Sequence, residues 1–427
     1  MKNDSKERNN WKVRIVNSIN KVSNLITKPQ RKLMNEFIFG ILSSGSVQIS
    51  KICRTLKEPT RLHHTMKRLS RMLGKHGHIA WEAEDLLLNK IVPQLTDDMV
   101  VGIDPGDLNR NGSTKSENIC KIRDGDKGTI VNGYPLITVV ARCLKTQLTL
   151  PLLTRLLSST TASYKSENND IMQSMTRVRA YFKDKINPLW VIDRGGDRSK
   201  LWDFWIENDF RICVRAANLR YWTYSKGFGT AQQIAKRLPL KHYGKLKKSS
   251  KNTVKFGITK VCLKEHPNKV LYMVVVRHGK QQPLVLVTTD KVRGRLQGEK
   301  LIQSYMSRWA CEEGFRFCKQ GFDLEGVQAR KLNVLQNLVA LSTFAWAILA
   351  SHQQDGGLLI DKARRQKPKH KLTFPYYTLL SGLQALFVDA KMIFYDWWRK
   401  PKTDIQPIMG DLFANTYQLL PVLGKIE

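Results

Sequence analysis

The chain is poor in acid: 36 Asp and Glu stand against 71 Lys and Arg in 427 residues, a formal charge of +35. The excess points to a polyanionic partner, with nucleic acid ahead of membrane lipid, because each phosphate neutralised releases condensed counterions. Paired cysteines are also missing. The seven present (Cys53, Cys120, Cys143, Cys213, Cys262, Cys311 and Cys318) include no Cys-x2-Cys and are odd in number. That argues against a disulfide framework and suits reduced thiols in a cytoplasm. No Cys/His spacing resembles a zinc site, so His63, His64, His76 and His78 read as solvated or packed. Without a Gly-x4-Gly-Lys-Ser/Thr loop, ATP is not expected as a driver. The longest nearly uncharged apolar run, "LVALSTFAWAILA" from Leu338 to Ala350, is too short to cross a bilayer and reads as a buried helix. The opening "MKNDSKERNN" lacks the apolar stretch of a signal peptide, so a cytoplasmic protein with no membrane association is expected.

What is present is an ordinary globular composition, 42% hydrophobic and 25% charged, long enough for two or three domains. Residues 1–95 read as helical. In "TRLHHTMKRLSRMLG", Thr60 is placed to cap, Leu62, Met66, Leu69 and Leu73 share a face, and Gly74 is placed to stop the helix. The other face carries Arg61, Lys67, Arg68 and Arg71, and with the preceding "VQISKICRTL" the segment fits either a helix-turn-helix on DNA or a plain bundle with solvated charge.

From residue 96 the pattern becomes apolar runs ending in Asp and then in turn residues: "DDMVVGIDPGDLNR" and "NPLWVIDRGGDR". Each reads as a buried strand ending in a loop, and the interleaved helical stretches indicate an α/β core over 96–217 and 291–351. Between them, residues 218–290 hold 15 Lys and Arg against Glu265 and Asp290, a net of 15 − 2 = +13, in β-rich sequence. This is expected to be an insertion facing phosphate, with Lys245, Lys247 and Lys248 in its loop, or else a solvated basic hairpin. Residues 352–427 read as loop-rich and then helical.

The stretch "YMSRWACEEGFRFCK" carries the chemistry. On a helix of ~100° per residue, Tyr305, Arg308, Glu312 and Lys319 fall within roughly a 60° arc, bordered by Phe315 and Trp309. One carboxylate among a tyrosine, an arginine and a lysine suits a phosphodiester held beside a hard divalent cation. Asp104 and Asp193, at the ends of apolar strands that open onto a common crevice, complete a set of oxygen ligands suited to Mg²⁺ or Mn²⁺. Asp107, Asp97 and Asp98 compete with Asp104, and Glu313 competes with Glu312. Asp197 reads as the cap of the next helix.

The spacing Tyr-x2-Arg-x3-Glu-x6-Lys over 305–319, "VIDRG" at 191–195 and "GIDPGD" at 102–107 resemble the DDE transposases of bacterial insertion sequences of the Tyr-Arg-Glu-Lys class. The resemblance runs from about residue 35 to residue 350. It implies an RNase H-like catalytic core split by a β insertion, a helical N-terminal DNA-binding region and a helical C-terminal region that serves dimerisation. It implies that Asp104, Asp193 and Glu312 hold Mg²⁺ or Mn²⁺, two ions in all, and that Tyr305, Arg308 and Lys319 bind phosphate. Trp309 then stacks on a flipped base or, alternatively, packs as a core aromatic. The implied partners are double-stranded DNA, as transposon end repeats and target, and a second copy in a synaptic dimer. A retired transposase that only binds DNA, a structure-selective nuclease on the same fold, and a covalent role for Tyr305 remain the alternatives.

Overall fold

A computed structural model of the protein describes residues 27–389, except 78, 125–127, 183–185, 247–252, 280–281, 354–355 and 367–373. Among the described residues the N-terminal part consists of α1 (Lys28–Ser44), α2 (Ile49–Leu56), α3 (Leu62–Lys75) and α4 (Ile79–Ile91). On α3, Leu69 and Leu73 are fully buried. The ends differ from the reading. Arg61 is the N-cap residue and makes no side-chain cap, while the Thr60 hydroxyl lies 3.2 Å from that of Thr65. The helix runs one residue past Gly74 to Lys75.

The sheet begins with β1 (Met99–Asn109), β2 (Cys120–Arg123), β3 (Ile130–Cys143) and β4 (Thr149–Leu156). After α5 (Glu167–Ala180) come β5 (Leu189–Ile192), α6 (Ser199–Glu207) and β6 (Ile212–Arg215). β4, β3 and β1 are antiparallel neighbours, while β5 and β6 run parallel to β1 and to each other. β1 does not end at its Pro-Gly turn; it stays paired to β3 through Asn109, with Pro105 opposite Ile137. Its pairing with β5 is recorded only as far as Gly102, so Pro105 sits where one edge is open, a position a sheet tolerates.

The segment after β6 is β-rich but joins the core sheet. It supplies β7 (Tyr221–Tyr224), β8 (Gly227–Thr230), the short helix α7 (Ala231–Arg237), β9 (His242–Lys245), β10 (Thr253–Cys262), β11 (Leu271–Arg277) and β12 (Leu284–Thr288). β12 pairs antiparallel with β6, giving one twelve-stranded sheet in the order β2-β3-β1-β5-β6-β12-β11-β10-β7-β8, with β4 on β3 and β9 on β10. A run such as "LYMVVVR" is buried on both faces, and this continuity explains why.

Then come α8 (Arg295–Met306), α9 (Trp309–Gly321), α10 (Leu332–Ser351), α11 (Gly357–Gln366) and α12 (Pro375–Asp389). α10 is longer than its uncharged run suggested. Among the described residues it is the one helix long and apolar enough to cross a membrane, and 89% of that window is buried within the protein. It packs on α4, α1 and β4. The expected C-terminal helical region is represented by α11 and α12, while 390–427 and residues 1–26 lie outside the described residues. No cysteine is in a disulfide, and all but Cys262 are buried.

Candidate active site

Side chains alternate along a strand, so Val100, Gly102, Asp104 and Gly106 share one face of β1. A Cβ on Gly102 would fall 2.4 Å from Cys311 Sγ, and one on Gly106 would meet the Phe315 ring at 3.8 Å. α9 therefore lies across this face, and Gly102 is what lets it approach so closely. On the parallel neighbour, Gly102 is in register with Val191, and Val191 with Cys213 on β6. Two residues on from these stand Asp104, Asp193 and Arg215: Asp104 lies within β1 past its last pairing with β5, Asp193 follows the end of β5, and Arg215 ends β6. Tyr305 packs on this face with Val100, Val191 and Cys213.

The stretch 305–319 is not one continuous helix. α8 ends at Met306 and α9 begins at Trp309, with Ser307 and Arg308 in a tightened right-handed turn where the Arg308 N–H donates to the Tyr305 carbonyl at 3.0 Å. The turn leaves the Arg308 side chain between a carboxylate on β1 and one on α9. Its Nη1 donates to Asp104 Oδ1 at 2.8 Å and its Nη2 to Glu312 Oε1 at 2.6 Å. The guanidinium is only 13% exposed, and its buried Nε has no hydrogen-bond partner among the described residues. An orphaned donor in so acidic a setting is a place for a ligand oxygen.

Burial pushes the Asp104 carboxyl up to about 7, against the pull of Arg308 and with added repulsion from Glu312 and Asp193. Burial also raises the Tyr305 phenol above its ordinary value, with Arg308 and Arg215 pulling it down. Arg308 is raised, its neighbouring carboxylates and phenol outweighing the burial that lowers it. Asp193 Oδ1 accepts the Gly195 N–H at 2.9 Å. The three carboxylates, all hard oxygen donors in mutual repulsion, fit a divalent cation in kind. Their arrangement is filled differently: among the described residues no group of three or more His, Cys, Asp or Glu is set to hold a metal ion, and Arg308 is the cation between Asp104 and Glu312.

The competing acids lie elsewhere or are engaged. Asp97 Oδ1 accepts the Asn187 N–H, and Asp98 pairs with Lys145, both at the opposite end of β1. Glu313 takes the Trp309 indole N–H at 3.2 Å and the Arg316 guanidinium. Asp197 does not cap α6. It accepts the Trp202 indole N–H at 2.8 Å and the Ala217 N–H at 2.6 Å, and it pairs with Arg220 at 2.6 Å.

Trp309 is 51% exposed beside the site and is not a core aromatic. Lys319 Nζ is 3.0 Å from Glu325 and 4.8 Å above the Phe315 ring, one step away from the Arg308 cluster. On α3, Arg61, Lys67 and Arg71 are exposed, but Arg68 is committed to the buried Glu36 and to Glu58 at 2.8 and 2.7 Å. Lys245 is exposed at the end of β9, with its backbone N–H on Glu299; Lys247 and Lys248 lie outside the described residues. Arg215 was not singled out from sequence, although "FRICVRA" ends a strand in a charge just as "WVID" does.

Residues 142–348 match the family model described as "Transposase DDE domain", a match that supports a DNA transposase of the DDE type. A piggyBac transposase synaptic complex with hairpin DNA is similar at 11% identity, covering 96% of this chain and 83% of that one, with a TM-score of 0.46. A Drosophila P element transposase strand transfer complex is similar at 11% identity, covering 93% and 92%, with a TM-score of 0.19. Likenesses at these scores carry no argument about the fold. The curated proteins include no match to the chain.

Proposed function

We propose that this protein is a cut-and-paste DNA transposase of the Tyr-Arg-Glu-Lys class. It binds the terminal inverted repeats of an insertion sequence and works as a synaptic dimer. We read the order β4-β3-β1-β5-β6, an antiparallel meander continued by two parallel strands, as an RNase H-like core. The observation that carries the proposal is the convergence of Asp104 and Glu312 on Arg308, with Asp193 just past the end of the neighbouring strand β5.

In this reading Asp104, Asp193 and Glu312 would hold Mg²⁺ or Mn²⁺, which would supply Lewis acidity toward the phosphodiester and its attacking water. Arg308 turns from the carboxylates to a phosphate oxygen, for which its guanidinium is already positioned. Tyr305 donates to a second oxygen. Lys319 leaves Glu325 for the flanking phosphate, and exposed Trp309 offers its ring to an unstacked base. Attack of water on phosphorus breaks the P–O3′ bond and frees a 3′-OH, and that hydroxyl then attacks a target phosphodiester with loss of the target 3′ oxygen. One phosphodiester replaces another, so no nucleotide hydrolysis is needed.

The test is metal-dependent cleavage and joining of DNA carrying the element's flanking ends, for wild type and for Glu312→Gln. Nicking and joining by wild type, with Glu312→Gln binding the ends but doing neither, upholds the proposal. Cleavage without joining would make the protein a nuclease, and binding without either reaction in both metals would make it a retired DNA-binding protein.

A further inference from the structure

A groove of about 620 Å³ lies outside the site just described, between α2 and α3 on one wall and the segment from Val327 to Lys331 on the other. Arg71 and Lys75 line the helical wall, one turn apart, and Arg330 and Lys331 line the facing one. All four are exposed, and none is in an ion pair among the described residues. No acidic residue lines the groove. Carboxylates on the neighbouring segments are already engaged: Asp323 by Lys51 and Gln48, Glu325 by Lys319, Glu58 by Arg68, and Glu117 by the Leu332 N–H.

The loop wall is built rigidly. Buried Arg110, one residue beyond β1, donates to the carbonyls of Val327 and Ala329, the latter at 3.0 Å. Glu117 accepts the Leu332 N–H at 2.8 Å and donates its own N–H to the Arg330 carbonyl at 2.8 Å. From α10, which follows the loop wall, the Asn333 and Asn337 side-chain amides donate to the carbonyls of Gly74 and Leu73 on α3. Arg330 and Lys331 are thus held at a fixed distance across from Arg71 and Lys75.

We infer that this groove is a track for the phosphates of one strand of duplex DNA, a partner surface that rests on the DNA-binding reading above. Four unneutralised cations facing each other along an extended channel suit a repeating polyanion better than a single small anion. The lining contains no aromatic residue, so it offers no stacking platform for unpaired bases, and the duplex is the form it fits. Because Arg110 joins the groove wall to the strand that carries Asp104, DNA in the track is in fixed register with the carboxylates.

The measurement is fluorescence anisotropy of a labelled 30-base-pair duplex against salt without divalent metal, on the full chain and on two paired variants. These are Arg71→Ala with Lys75→Ala, and Arg330→Ala with Lys331→Ala. Each pair is expected to lower the slope of log K against log[salt] by about 1.8, and affinity at 0.1 M salt by tens of fold. Arg330→Lys with Lys331→Arg should keep the wild-type slope. Unchanged slopes in variants that melt like wild type would overturn the inference, as would tighter binding of a single strand with the same sensitivity. Glu312→Gln is read for cleavage alone, so a failed groove, seen in the salt slope of the paired variants, and a failed catalytic assignment, seen in cleavage, give different patterns.

Discussion

Arg308 Nη1 stands 2.8 Å from Asp104 Oδ1, so the residue expected to grip phosphate is, without DNA, the counter-charge of an expected metal ligand. With Glu312 on its other arm, it holds together two carboxylates that would otherwise repel across the strand and the helix. Arg308→Ala should lower single-turnover cleavage by roughly 10²–10³-fold, the size seen for loss of one preorganised donor to developing charge. Arg308→Lys should recover only part of that, because an ammonium cannot bridge two carboxylates as a planar fork does. A wild-type rate in Arg308→Ala would remove it from the catalytic set.

Tyr305 is 6% exposed, and burial raises its phenol, which makes it a hydrogen-bond donor and a poor nucleophile. Tyr305→Phe should lose no more than about tenfold in cleavage, the loss of one net hydrogen bond. No protein–DNA adduct should survive denaturing electrophoresis of wild-type reactions. A trapped adduct absent from Tyr305→Phe would restore the covalent alternative.

Local pattern was legible in part: β10, β11 and β12 match apolar runs and Asp193 follows another, but Asp104, read as a strand end, lies in the middle of β1, which stays paired to β3 through Asn109. The turn at Ser307 and Arg308 was not legible, nor was the approach of α9 to β1 over Gly102, a contact between segments far apart in the chain. Nor could charge alone separate Arg68 from its exposed neighbours. The difference is Glu36, fully buried on another helix. The insertion's strands were visible, but its continuity with the core sheet depends on the pairing of β12 with β6, which no local pattern records.

The Arg68 pairing makes a stability prediction instead of a DNA-binding one. Burial raises the Glu36 carboxyl above 4.5, with Arg68 the chief opposing influence. A carboxyl with a raised folded-state value favours the folded form most below its unfolded value and loses that contribution as pH rises through the folded one. Arg68→Ala raises Glu36 further and leaves it only Lys32, at 3.6 Å, as a counter-charge when ionised, at a cost of about 1–3 kcal/mol. The melting temperature of Arg68→Ala should therefore fall increasingly below wild type from pH 4 to pH 8. Adding Glu36→Gln should flatten that trend. A pH-independent gap would mean that Glu36 does not carry the effect.

Gly102 offers the most direct test of how the site is assembled. The Cβ of Gly102→Ala would sit 2.4 Å from Cys311 Sγ, and 3.8 Å from the Arg308 Cα. Cys311 is fully buried, so its sulfur cannot swing into solvent, and α9 must move off β1. Overpacking of this kind costs about 1–3 kcal/mol. The same displacement draws Arg308 and Glu312 away from Asp104, so cleavage should fall by more than the lost stability explains at a temperature where the protein stays folded. Cys311→Ala removes the sulfur that the new methyl strikes and should by itself cost little activity. Combined with Gly102→Ala it should restore both melting temperature and cleavage toward wild type, a coupling that two independent defects would not show. Additive losses in the double variant would mean that the close packing of α9 on β1 does not set the distance between the carboxylates.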